Sequence, residues 1–185
     1  MMRHLLLVRH TEVARRWRGR CYGTSDAGLS RVGTAHAVAI APQLAAWRPD
    51  IVIHSDRRRT RDLARRAAAL AGVNCRPDAQ WRERDFGEWE GRTWNAIYRA
   101  TGNAMDGMID APDSFRPGGG ETTTEMLQRI ALALSRLPGG RVAVVTHGGP
   151  VAAARWLNAG LAVSALPALI PGYGETWEMA QGGLR

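Results

Sequence analysis

Three short, wholly apolar runs each end on polar, chemically capable side chains, and they constrain this chain more than any other feature. "LLLV" at 5–8 runs into Arg9 and His10, "IVI" at 51–53 into His54 and Ser55, and "VAVV" at 142–145 into Thr146 and His147. A brief run without polar interruption reads as a strand buried on both faces, the pattern of a parallel sheet covered by helices. We therefore expect strands at 5–8, 50–55 and 141–147, with a short one at 73–76 and a last one in "ETWEMA", 175–180.

The stretches between are helical in character. Residues 30–47 start at Ser30, a suitable N-cap, and are Ala-rich until Pro49 forbids continuation. Residues 56–72 run from Asp56 to Gly72, a C-terminal stop. Residues 121–137 place Met126, Leu127, Ile130, Leu134 and Leu137 on one stripe, and "GGPVAAARWLNAG" opens another helix after His147. Residues 80–120 are too rich in Gly, Pro and Asp for long regular structure and are expected to be irregular. Alternating strands and helices without repeat or dividing linker predict an α/β fold, three-layered αβα with a mostly parallel central sheet. Ligands bind beyond the carboxyl ends of such strands. His10, the arginines at 57–59 and His147 would then share one sheet edge.

Composition narrows the work that edge can do. The net charge is +8, but all 25 basic residues are Arg and they are scattered, with local density at 15–20 and 57–61. That distribution suits an anionic small molecule better than nucleic acid. No apolar run approaches the ~20 residues of a membrane span, and the N-terminal run is short for a secretory signal, so we expect a cytoplasmic protein without a membrane partner. Cys21 and Cys75 lie outside any metal-ligand spacing and are expected to pack as small apolar residues.

Two histidines among permanently cationic arginines repel a divalent ion and suit a phosphate, for which Arg forks and the N–H groups of Gly148 and Gly149 are donors. We expect no metal and no cofactor. A neutral His can accept a phosphoryl group, and the departing oxygen then needs a proton from a nearby acid. "WRERDFGEWEGRTW" offers Glu83, Asp85, Glu88 and Glu90, and spacing alone does not choose among them.

"LLLVRHTE", "HSDRRRTRDLA", "ERDFGEWEG" and "VVTHGG", in this order over residues 4–149, resemble the histidine phosphatase superfamily, whose fold is phosphoglycerate-mutase-like. The resemblance implies a single domain over 1–185, with His10 as nucleophile, Arg9, Arg59 and His147 holding the phosphoryl group, and Glu83 as proton donor. Arg59 lies four residues after Ser55, matching the family's Ser-x-x-x-Arg turn; a slip of one residue would put Arg58 there instead. "CYGTSDAGLSRVG" resembles the family's loop between first strand and first helix, which implies that Tyr22 and Gly23 face the substrate, together with Thr11 and Gly148. The usual Arg-His-Gly is Arg-His-Thr here, so Thr11 needs an ordinary φ or a partner for its hydroxyl. "RHT" with "CYG" is most similar to the α-ribazole-phosphate phosphatases of cobalamin biosynthesis.

The expected function is a metal-independent phosphomonoesterase acting through a phosphohistidine on a small phosphate ester, α-ribazole 5′-phosphate being one candidate. The alternatives are a phosphoglycerate mutase, whose chains are longer after the acid loop, and a non-catalytic module that binds a phospho-ligand. Seven Trp stand against two Phe. Trp81, Trp89 and Trp94 bracket the acid loop and Trp17 follows His10, so at least one of the four is expected to line the site and stack on a flat group.

Overall fold

The computed structural model describes residues 3–181; the ends of the expected 1–185 domain, residues 1–2 and 182–185, lie outside the described residues. The elements run β1 (Arg3–Arg9), α1 (Arg31–Ala46), β2 (Ile51–His54), α2 (Arg58–Ala71), β3 (Asn74–Pro77), α3 (Trp94–Thr101), α4 (Gly107–Asp110), α5 (Thr123–Ser135), β4 (Gly140–Thr146), α6 (Gly148–Ala159) and β5 (Thr176–Gln181). The sheet order is β3-β2-β4-β1-β5, parallel except for β5, which runs antiparallel beside β1.

The apolar runs are buried on both faces, as their composition requires. Leu5, Leu7, Ile53, Val142 and Val144 pack with α5 and α6. Their alternating neighbours Leu6, Val8, Val52, Ala143 and Val145 pack against Ala37, Ile40 and Leu44 of α1 and Leu63, Ala64 and Ala67 of α2. This is the three-layer arrangement. In register, Arg9 faces Thr146 and His54 faces Val145. The residues that follow the strands, His10, Ser55 and His147, are therefore neighbours at one edge, because three parallel strands end at one level.

The structure corrects three local expectations. Residues 80–120 are not irregular throughout: Thr93 accepts a hydrogen bond from Ala96 N, caps α3, and buries Ile97, while Gly102 ends the helix at φ 59°. Turn-rich composition hid a short helix held by one cap and one buried side chain. Asp56 does not begin α2; its carboxylate pairs with Arg82, and Asp26 Oδ1 accepts from Arg58 N at 2.8 Å instead. The helix expected from 121 starts at Thr123, because Thr122 and Glu125 form a reciprocal capping box.

Gly33, in the first turn of α1, fixes the path of the chain after His10. A Cβ there would lie 2.0 Å from the Glu12 carbonyl oxygen, too close for any backbone to tolerate. Replacing Gly by Ala in an open helix stabilises by ~1 kcal/mol. Gly33→Ala should instead destabilise by ~1–3 kcal/mol, the usual cost of overpacking, read as a lower urea midpoint. A raised midpoint would show that the 10–13 loop gives way freely.

Candidate active site

Arg59 is the centre of the cluster. It is 0% exposed, and its Nε donates to His147 Nδ1 at 3.0 Å while Nη1 and Nη2 donate to the carbonyls of Ser25 and Gly23, each at 2.6 Å. Arg58, by contrast, is exposed and pairs with Asp26. Of the two arginines, Arg59 is the one buried against His147.

These bonds also assign protons. Arg is only a donor, so His147 Nδ1 is an acceptor and its Nε2 carries the hydrogen, donated to Ser55 Oγ at 2.8 Å. His10 Nδ1 lies 2.7 Å from the Thr11 carbonyl, which only accepts, so Nδ1 is protonated and Nε2 holds the lone pair. Burial, and then the Arg59 charge, push both histidines well below the ordinary value; Arg9 adds to both and His10 further lowers His147. Both rings are neutral at neutral pH. Their centroids are 5.2 Å apart.

Arg9 stacks on Tyr173, with its guanidinium carbon 4.4 Å from the ring centroid, and donates from Nη1 to the Pro171 carbonyl at 2.5 Å. Its buried Nε has no hydrogen-bond partner among the described residues, an unused donor at a cationic edge. Tyr22 lies beside Arg59, and the Tyr22 and Tyr173 hydroxyls meet at 2.9 Å. Gly23 is required where it is: a Cβ would come within 2.1 Å of the Arg84 carbonyl oxygen.

Of the four candidate acids, only Glu83 lines the cavity beside this cluster. It accepts from Gly149 N at 3.1 Å and Arg84 N at 3.0 Å, seated over the start of α6. A Cβ at Gly149 would occupy the space of its carboxylate. Asp85 and Glu88 are exposed. Burial opposes the charge on Glu90, but hydrogen bonds from Ser25, Thr24 and Phe86 outweigh it and hold the carboxyl below its usual range. Glu90 therefore stays ionised and anchors the 24–25 loop.

Thr11 does not face the cavity. It is fully buried, its φ is not positive, and its hydroxyl donates to the Gly33 carbonyl at 2.7 Å, which is how the chain accommodates Thr after His10. Gly148 does line the cavity, against Arg9. Among the tryptophans, Trp17 and Trp94 line it, whereas Trp81 and Trp89 are buried in the core. Sequence reasoning missed Tyr173 as a site residue. Its only signal was an aromatic between two glycines before the last strand. It also gave Ser55 no chemical role, although Ser55 orients His147. Cys21 is buried and Cys75 partly buried, both free.

The arrangement offers a lone pair at His10 Nε2, two guanidinium groups and a carboxyl beside one cavity. Comparison with known proteins agrees with it. The profile of the histidine phosphatase superfamily (branch 1) matches residues 5–176. The chain is 30% identical over 193 residues to the glucosyl-3-phosphoglycerate phosphatase of Mycobacterium tuberculosis (strain ATCC 25618 / H37Rv), covering 97% of this chain and 86% of that protein. It is 34% identical over 154 residues to a metal-independent phosphoserine phosphatase of Arabidopsis thaliana, covering 78% and 64%. A solved mycobacterial glucosyl-3-phosphoglycerate phosphatase superposes with a TM-score of 0.85 at 28% identity, covering 97% and 91%. An α-ribazole phosphatase from Shigella flexneri, with a TM-score of 0.82 at 20% identity over 95% and 89%, shares the fold.

The neutral histidines make stability depend on pH. Their folded values lie below the unfolded value of about 6.5, so below that pH the unfolded chain binds more protons and stability falls. The loss should approach roughly 1.4 kcal/mol per pH unit for each histidine. Urea midpoints should decline between pH 6.5 and 5, above the range where the depressed carboxyls of Asp56 and Glu90 titrate. A flat profile there would mean the rings are solvated.

Proposed function

This chain belongs to the histidine phosphatase superfamily and is a phosphoric monoester hydrolase; on that premise we propose that it works without metal, through a phosphohistidine at His10. The observation that carries the reading is the tautomer of His10, with Nδ1–H held by the Thr11 carbonyl and the Nε2 lone pair free beside Arg9 and Arg59.

In the first step Nε2 forms a bond to phosphorus as the ester P–O bond breaks, and the electron pair leaves with the alcohol oxygen. Glu83 supplies that oxygen with a proton. The Nδ1–H bond to Thr11 strengthens as the ring gains positive charge. Arg9 and Arg59 neutralise the non-bridging oxygens, Arg59 with the two N–H groups its three protein bonds leave free. His147 joins this clamp only when Nδ1, which accepts from Arg59 in the free site, carries a hydrogen to donate. In the second step Glu83 takes a proton from water, the water oxygen bonds to phosphorus, and the P–N bond breaks to release inorganic phosphate and restore His10. His10 is 1% exposed and its ring lies 5.6 Å from that of Tyr173, so the phosphoryl group reaches Nε2 only after a neighbouring side chain shifts. Relatives named for glucosyl-3-phosphoglycerate and phosphoserine support a small phosphate ester as substrate. α-Ribazole 5′-phosphate stays a candidate on the Arg-His-Thr and Cys-Tyr-Gly motifs alone.

para-Nitrophenyl phosphate should be hydrolysed at an unchanged rate in EDTA, with inorganic phosphate as product; loss of activity in the chelator would refute the metal-free route. With 3-phosphoglycerate, formation of 2-phosphoglycerate in place of inorganic phosphate would identify a mutase. His10→Ala should lower turnover by about 10³ or more and abolish an acid-labile phosphoenzyme; an Ala variant keeping more than about a tenth of the rate would dismiss His10 as nucleophile. Glu83→Gln should slow an alkyl phosphate far more than para-nitrophenyl phosphate, because nitrophenolate leaves with little protonation. Equal losses on the two esters would move the acid elsewhere.

A further inference from the structure

The cavity beside Glu83 and Arg9 measures about 640 Å³, far more than a phosphoryl group fills. Its remaining wall is built chiefly from Trp17, Phe86, Trp94, Met105, Met108 and Ile109. Five of these six come from residues 86–109, where Phe86, Trp94 and Met105 rest on a small apolar cluster centred on Cys21, Trp89 and Ile97.

Apart from Asp106, which is exposed, the charged groups in the wall are already engaged. Arg18 pairs with Glu12 at 3.0 Å, Arg20 donates to the carbonyls of Arg16 and Gly91, and both terminal nitrogens of Arg84 donate to Thr123 Oγ1. A sugar or an amino acid placed there would lose water from several hydroxyl or charged groups and regain few hydrogen bonds, which costs affinity. An apolar ring loses nothing of that kind. It gains burial, stacking on Trp or Phe edges, and the adaptable thioethers of Met105 and Met108.

We propose that this wall is a subsite for the alcohol half of the substrate, and that it selects phosphate monoesters carrying an apolar ring over polyhydroxylated or amino-acid esters. The proposal rests on the phosphatase reading and departs from it in substrate class, since the curated relatives named above carry the names of a sugar-bearing and an amino-acid phosphate.

Cyclohexylmethyl phosphate and glucose 6-phosphate make a matched pair, each the phosphate of a primary alcohol on a six-membered ring, so leaving-group differences are small. kcat/KM should favour the cyclohexyl ester by about tenfold or more, the order expected for burying an apolar ring. Ile109→Asn and, separately, Met105→Gln should shrink that ratio to less than about threefold if the wall is the cause; thermal melting confirms that each variant folds. Binding is tested independently of turnover with phosphonates, which are not hydrolysed: benzylphosphonate should bind about tenfold tighter than methylphosphonate by calorimetry. Turnover of both esters with a ratio near one, or an unchanged ratio in two folded variants, overturns the subsite and leaves the phosphatase standing. Tight benzylphosphonate binding without turnover of any ester keeps the subsite and overturns the phosphatase reading. Equal binding of the two phosphonates overturns the subsite outright.

Discussion

A guanidinium group buried without a counter-ion organises this molecule. Arg59 makes no ion pair among the described residues, and burial lowers its proton affinity even though Glu83 partly offsets that effect. Its hydrogen bonds tie the loop after β1, through Gly23 and Ser25, to His147 at the end of β4, while its own backbone belongs to α2. A cation held in that way is costly to bury, and a dianion bound beside it, as proposed, would offset the cost. The surrounding network serves the same end. Glu90 gathers the Thr24 and Ser25 donors so that the two carbonyls face Arg59, and Ser55 holds the His147 ring that accepts from it.

The same burial sets the chemistry of the histidines. Solvated rings would be partly protonated near neutral pH and would lack a lone pair for attack. Desolvation and the neighbouring arginines keep them neutral, and fixed carbonyl and guanidinium partners decide which nitrogen bears the hydrogen. The site is electropositive while His10, its proposed nucleophile, is uncharged. That combination attracts a phosphate ester without repelling it from the attacking atom.

A second division runs between the phosphate end and the rest of the cavity. The first is built at strand ends by a rigid sheet; the second is built by the 86–109 segment, which packs on its own small apolar cluster. On the proposed reading, reaction type and substrate choice reside in different parts of the fold, which fits relatives with different substrate names.

The strands, the layer order and the polar groups at the strand ends were legible in the sequence, because burial on both faces demands uninterrupted apolar runs and parallel strands bring their ends to one level. Helix α3 was not: eight residues in a Gly- and Asp-rich region give too little periodicity, and the Thr93 cap gains meaning only with Ile97 buried. The residue types of the site could be read as well, including a Thr where a Gly was expected. Four acidic residues within eight positions could not be ranked by spacing, since local sequence does not say which carboxylate turns toward α6 and which collects loop donors. Nor could it show that Tyr173, 151 positions after Tyr22, meets it hydroxyl to hydroxyl. Local runs, caps and stops depend on near neighbours and were set by the chain itself. Proton positions, the seating of Glu83 at the start of α6 and the apolar wall depend on contacts between distant segments, and only their packing decided them.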